Sequence, residues 1–468
     1  MPRHRPPLRS TVGSLAGLVA LTSLAVGGAA AHVGTLEDVA TEAPIPQWYV
    51  VTVAGVVVGA SFLFTSMMAD HEALRWVNGL ALGARLPGSL GAAARTLLGI
   101  ASVLALGGIV AVGVVGPAAA NENLASLGIW VAWWGGFTIA TYSVGNLWPA
   151  IDPFRHIASL VPARPRWDYP EHLGAWPAVA GLLLLVFAEV VSGSTERPRV
   201  LAALVGGYAV VTVAGAVAVG AREWFDKADP LAAVFRTYGS MAPLQRTDDG
   251  ISLRLHGAAL TDCDVDDTPG RVAFVVALLW ATTFDGLVST PQWRPLLTPL
   301  VDLGVPAVVG YVAVLLGGFA AFYGVYRWAA RKSRETADTY VSSDAIARWL
   351  APSLVPIAAG YHVAHFLGYV LALSPAFVAA LADPLGTGSA AATFQVAVLP
   401  DWFGFLQLGF VLGGHLLAIW VAHSIAFELF PGARQPIRSQ YPLIGVMIAY
   451  TLVSAWVIVA PTIPTPYV

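Results

Sequence analysis

The chain has 468 residues, of which 57% are hydrophobic and 11% charged, where a soluble domain carries roughly 25% charge. These figures exclude a soluble globular enzyme and a disordered chain, and the single cysteine, Cys263, excludes a disulfide scaffold. A net charge of −3 leaves no basic excess for nucleic acid. The composition is that of an all-α, polytopic transmembrane helical bundle.

In chain order, Arg3, Arg5 and Arg9 precede an uncharged run from Thr11 to Val26, and Ala29-Ala30-Ala31 follows. This is the layout of a signal peptide over residues 1–31; the alternative is an uncleaved first helix. Cleavage after Ala31 would make His32 the mature N-terminus, whose α-amine and imidazole can chelate one metal together. Cleavage a residue or two away leaves His32 an ordinary loop residue.

Apolar stretches close to the ~20 residues needed to cross a bilayer recur at 47–68, 96–116, 124–145, 173–192, 199–219, 271–290, 303–326, 352–374, 402–427 and 441–461. They predict ten spans, five in a half over 32–220 and five in a half over 271–468, around a cytoplasmic loop at 221–270. The distribution of basic residues tests the count independently. With residue 32 outside, nineteen of the 25 lysines and arginines fall in inward loops, against Arg197, Arg199 and Arg294 outside and three in the signal. The chain is therefore expected in the cell membrane as a multi-pass protein with the mature N-terminus and the C-terminus outside.

The 221–270 loop, with acidic Asp262, Asp264, Asp266 and Asp267, reads as an amphipathic helix plus a small strand pair around Ile251–Leu260. Asn146 to Ile157, NLWPAIDPFRHI, reads as an interfacial helix with Trp148 and Phe154 at the headgroups. The five-plus-five arrangement suits an inverted repeat of the kind transporters use, although the repeated segment is only SLVP, at 159–162 and 353–356.

An ionisable residue inside a membrane is costly, so its presence is the main functional clue. His71, His156, His172 and His256 lie in inward loops or at span ends and read as solvated. His362 and His365 occur mid-span in YHVAHF; positions i and i+3 share a helix face with a rise of about 4.5 Å, so both rings can reach one ion or one cavity. His415 lies mid-span on the next, antiparallel helix beside Gly413 and Gly414, so His362 and His415 can meet at mid-depth. His423 is eight residues further on, about 12 Å deeper.

Facing imidazoles suit zinc or copper, or haem through axial ligation. They equally suit hydrogen bonds across helix interfaces. Asp285 in TTFDGL and Asp383 in ADPLGTG are the carboxylates that could orient an imidazole or take a proton. Asp383 also fits ordinary turn chemistry and Asp285 a helix cap. Glu189 and Gln407 are weaker candidates. The familiar nucleotide-binding and soluble-hydrolase motifs do not occur.

AHVGTLEDVATEAPIPQWYV at 31–50, NLWPAIDPFR, LGAWPAVAGLLLLVFAEVV, TTFDG, SLVPIAAGYHVAHF, DPLGTG and GGHLLAIWVAH together resemble a family of polytopic prokaryotic membrane proteins known as fenitrothion hydrolases. The resemblance implies a membrane-bound hydrolase that splits phosphotriesters at an aryl leaving group, with His32, Asp285, His362, His365, Asp383 and His415 as its polar set. The leading expectation is a zinc or copper site open to the outer face. Its ligands would be His362, His365 and His415, with His32 as a fourth if it is the N-terminus, and Asp285 or Asp383 as orienting group or base. Its partners would be the lipid bilayer and a small apolar substrate; the sequence leaves oligomeric state open. The alternatives are a transporter or metal-handling permease with the histidines along a path to His423, a haem-bearing electron-transfer protein, and a structural membrane subunit.

Overall fold

The computed structural model describes residues 47–467 except 85–87, 162–164, 195, 248–249, 263–266, 388–396, 401, 433, 462 and 464. The expected signal peptide, His32 and Cys263 lie outside the described residues.

Sixteen helices and three short strands follow in order: α1 (Gln47–Ser66), α2 (His71–Asn78), β1 (Ala81–Ala84), α3 (Gly88–Val115), α4 (Leu124–Ser143), α5 (Trp148–Ile151), α6 (Pro153–Leu160), α7 (Trp176–Val191), α8 (Pro198–Val219), α9 (Pro230–Gly239), β2 (Leu244–Thr247), β3 (Gly250–Arg254), α10 (Arg271–Val288), α11 (Trp293–Asp302), α12 (Ala307–Ala337), α13 (Ser343–Leu350), α14 (Val355–Ala382), α15 (Phe403–Leu429) and α16 (Arg434–Val459). Among the described residues nine helices are long and apolar enough to cross a membrane, and α7 is a tenth apolar helix of 16 residues. Each expected span coincides with one of these ten. The protein is an all-α polytopic membrane bundle.

Helix α10 is 67% buried and central, whereas α3 is 11% buried and peripheral. Helix α14 packs along α15 and against α4 and α10; α16 packs against α1, α12 and α15. The tightest approach is between α14 and α15. A Cβ on Gly360 would lie 2.6 Å from the Phe410 carbonyl oxygen, and one on Gly414 2.4 Å from that of Pro356. Only hydrogen fits at either position, which is how small residues bring membrane helices together.

Helix α4 changes winding over Gly128–Phe137, where the backbone forms a π-helix. The Thr138 hydroxyl donates to the Trp133 carbonyl at 3.4 Å, five residues back. Wider winding of this kind re-aims side chains and is common at functional sites.

Two sequence expectations are corrected. The strand pair around Ile251–Leu260 is instead β2 and β3, joined on the other edge by β1 in the order β1-β3-β2, while Ala258–Thr261 is a 3-10 turn. Main-chain partners at Ala81–Ala84 capture β3, a long-range pairing that local periodicity does not reveal. Asn146 to Ile157 forms α5 and α6, but Trp148 and Phe154 are buried rather than placed at headgroups. Trp148 packs 4.7 Å from the Phe235 ring, and Phe154 5.0 Å from Tyr208, so α8 and α9 cover the segment.

Asp-Pro pairs start both α6 and α9. Proline at the first helical position loses no bond, and the preceding aspartate caps the free amides. Asp229 accepts from the Ala232 amide at 2.8 Å, the Tyr208 hydroxyl at 2.7 Å and the Thr212 hydroxyl. Asp152 accepts from the amides of Phe154 and Arg155 at 3.0 and 3.1 Å, and its Oδ2 is buried with no hydrogen-bond partner among the described residues.

Burial pushes the Asp152 carboxyl from 3.8 up to about 7; the Arg155 amide opposes this and Asp229 adds to it. A carboxyl raised on folding favours the protonated native state, so its stabilising effect is full below pH 3.8 and is lost as pH rises through about 7. Asp152→Asn should therefore gain stability over the wild type progressively between those pH values, measured as the difference in Tm. A constant difference across that window would contradict the assignment.

Candidate functional site

The polar core of the bundle is built on one turn and a half of α14. Tyr361, His362 and His365 are all buried there. The i, i+3 spacing separates the two imidazoles by about 60° around the helix, which is enough to send them into different grooves.

His365 faces α10. Its Nε2 lies 3.3 Å from Asp285 Oδ2, and the side chains are 10% and 26% exposed, so the pair is sheltered but reachable. Tyr361, one turn back, stacks on the His365 ring with centroids 6.2 Å apart. Its hydroxyl rests on Gly286, where a Cβ would come within 2.0 Å of the oxygen. The glycine after Asp285 thus lets α14 carry a tyrosine against the backbone of α10. Glu189 of α7 is within electrostatic range of Asp285, adding a third helix to this polar group.

His362 faces α4 and α9. Its Nδ1 lies 3.2 Å from the Tyr142 hydroxyl, and its ring is boxed by Trp134, Tyr142, Tyr238 and Phe366 at 5.7, 5.9, 5.8 and 4.6 Å. Trp134 belongs to the π-wound part of α4. The His362 Nε2 is buried with no hydrogen-bond partner of good geometry among the described residues.

The structure does not bring His415 to this group. Gly360 and Gly414 form the α14–α15 contact, and His362, two residues from Gly360, points about 200° away from it. The His415 Nδ1 lies 2.9 Å from the Val411 carbonyl of its own helix, and its Nε2 has no partner among the described residues. Gln407, also on α15, donates to the Ala364 carbonyl at 2.7 Å.

Asp383 ends α14, 18 residues past His365 and so about 27 Å along the helix axis. Its carboxylate accepts from the Thr387 amide at 3.1 Å, closing the turn that follows the helix. His423 has Met68 O at 3.0 Å from one ring nitrogen and Gln440 Oε1 at 3.2 Å from the other. Both nitrogens are engaged, one with the turn after α1 and one with α16.

Among the described residues no group of three or more His, Cys, Asp or Glu side chains is placed to hold a metal ion. The donor set His362, His365 and His415 therefore does not fit a zinc or copper centre as arranged. What the arrangement offers is acid–base chemistry: a carboxylate-oriented imidazole at the junction of α10 and α14, with Tyr361 beside it.

Tyr142, Tyr238 and Trp134 escaped the sequence reading because they approach His362 from helices distant in sequence. Only Tyr361 carried a local signal, its place in YHVAHF.

The fold and site define a polytopic helical membrane protein with a sheltered histidine–carboxylate pair. The chain matches no protein-family model, no curated protein and no solved structure.

Proposed function

We propose that the protein is a membrane-embedded hydrolase of apolar esters, aryl phosphotriesters foremost, in which His365 is the general base and Asp285 holds it. The observation that carries this reading is the 3.3 Å approach of His365 Nε2 to Asp285 Oδ2. The sequence resemblance to fenitrothion hydrolases supports the substrate class, and the residues it shares include TTFDG and YHVAHF.

With Nε2–H donating to Asp285, the Nδ1 lone pair of His365 takes a proton from a water whose oxygen attacks phosphorus. The bond from phosphorus to the aryl oxygen breaks, and the imidazolium returns its proton to the departing aryloxide. A positioned histidine of this kind contributes about 10²–10⁴-fold. The apolar surroundings limit entry to substrates that partition into the bilayer. With the inward side assigned from its basic loops, Asp285 at the end of α10 opens toward the outer face, and a signal peptide would deliver that topology.

Purified full-length protein in detergent should turn over a chromogenic aryl phosphotriester, with bound metal determined on the same sample. His365→Gln should abolish turnover, and His362→Gln, further from the carboxylate, should retain most of it. Equal loss in both variants together with stoichiometric metal would replace this reading by the metal centre. Wild-type protein with no turnover would end the hydrolase assignment.

A further inference from the structure

A cavity of about 280 Å³ opens on the face of α15 away from His415, near the ~300 Å³ at which small-molecule sites begin. Its walls are Gly360 and Val363 of α14, Gly409, Gly413 and Leu417 of α15, and Tyr142 of α4. A Cβ on Gly409 or Gly413 would meet nothing within 4 Å, so these glycines leave real space, unlike the packed pair Gly360 and Gly414. From Gly409 to Leu417 the open row runs about 12 Å along the helix.

The open side and the end of the groove differ in chemistry. Gly409 and Gly413 are exposed within a membrane-spanning helix, so the long side faces hydrocarbon. At one end stand Ser143 and His256, both lining the cavity and both exposed. The same end borders the small sheet, because the Leu244 amide of β2 donates to the Val144 carbonyl at 3.0 Å. Arg246, two residues along β2 and about 7 Å further, is exposed and makes no ion pair among the described residues. Arg254, at the far end of β3, is by contrast paired with Asp262.

We propose that this groove binds one hydrocarbon chain of an anionic membrane lipid, with the headgroup at Arg246 and His256. An unfilled slot beside lipid forfeits dispersion contacts that a chain supplies. Arg246, beyond the end of the groove on the arginine-rich side, attracts a negative headgroup, and basic pockets between spanning helices on that side are known to hold such headgroups. The bound chain touches Tyr142, the residue that also bonds His362, so the lipid would stiffen the aromatic box without entering the Asp285–His365 pair. The inference is independent of the hydrolase reading.

The test uses full-length protein in nanodiscs containing phosphatidylglycerol with a diazirine on its acyl chain. After photolysis, labelled residues are mapped by mass spectrometry. Label at 409–417 and 356–363 should saturate at low probe fraction, while label on the lipid-facing side of α3, at exposed Leu97 and Leu104, should rise in proportion to probe. Gly413→Leu or Gly409→Leu fills open space and should remove the saturable label while leaving the α3 label. Arg246→Glu should weaken it about fivefold or more, the loss of roughly 1 kcal/mol per basic residue. A phosphatidylcholine probe should label the groove less than the anionic one. Groove label no stronger than that on α3, or unchanged in both leucine variants, would overturn the proposal. Absence of groove label in the wild type, as when other residues of the chain fill it, would overturn it too.

Discussion

Asp285→Ala should reduce kcat for aryl phosphotriester hydrolysis by about 10²–10⁴-fold with KM little changed. The carboxylate touches His365 Nε2 at 3.3 Å and fixes which ring nitrogen carries the proton. Without it the imidazole can adopt the wrong tautomer or rotate, and the water it must deprotonate loses its base. Asp285→Asn keeps the shape but exchanges an acceptor for a group that can present an N–H, so its turnover should fall nearly as far. The measurement is steady-state kinetics of both variants beside the wild type, with Tm showing that the bundle is intact. A parallel rise in KM with kcat retained would assign Asp285 to substrate binding instead. Full activity in Asp285→Asn would remove it from the mechanism.

Gly414→Leu should be strongly damaging although it touches no ionisable group. Its Cβ would sit 2.4 Å from the Pro356 carbonyl oxygen and 3.1 Å from Gly360 Cα. These are backbone atoms, so no rotamer change relieves the overlap and α14 must move away from α15. Overpacking in a tight core costs about 1–3 kcal/mol, and the separation also breaks the Gln407 bond to the Ala364 carbonyl. Because the same α14 turn carries Tyr361, His362 and His365, turnover should fall with stability. One residue earlier, Gly413→Leu points into open space and should change Tm little. Denaturation in detergent compares the two; equal effects would mean that the α14–α15 contact is not tight.

The ten apolar helices were legible because the bilayer imposes a length and composition that survive without any tertiary information. Residues Gln47–Ser66 and Pro198–Val219 meet that requirement with no Asp, Glu, Lys, Arg or His beyond Arg199. The limits were less legible. Helix α12 runs on to Ala337 through Arg327, Arg331, Lys332 and Arg334, because once out of the hydrocarbon a helix can continue on its amphipathic side. Helix α7 has only 16 residues, starting at Trp176 with Pro177 in its first turn, after the turn at Gly174, whose φ is +45°.

For the candidate site, the sequence singled out two residues that the structure brings together. His365 and Asp285 stood out because charge-bearing groups are rare against so apolar a chain. The reading of His362, His365 and His415 as one cluster used helical spacing alone, and spacing fixes the relation of side chains on one helix but not the rotation of that helix against its neighbours. The Gly360–Gly414 contact sets that rotation here, turning His362 toward Trp134 and Tyr142 while leaving His415 on its own helix. Trp148 and Phe154 show the same limit: aromatic residues near a span end look interfacial until α8 and α9 are seen to cover them.

By itself, the sequence determined that this protein is a membrane-spanning helical bundle and which few polar residues stand inside it, since burial of apolar surface and the cost of charge in lipid act on each residue locally. Only the tertiary structure decided which of them meet. That outcome depends on glycines that let backbones touch and on a π-wound stretch that re-aims Trp134. Helix rotation follows from these contacts between residues far apart in the chain, and no local periodicity encodes it.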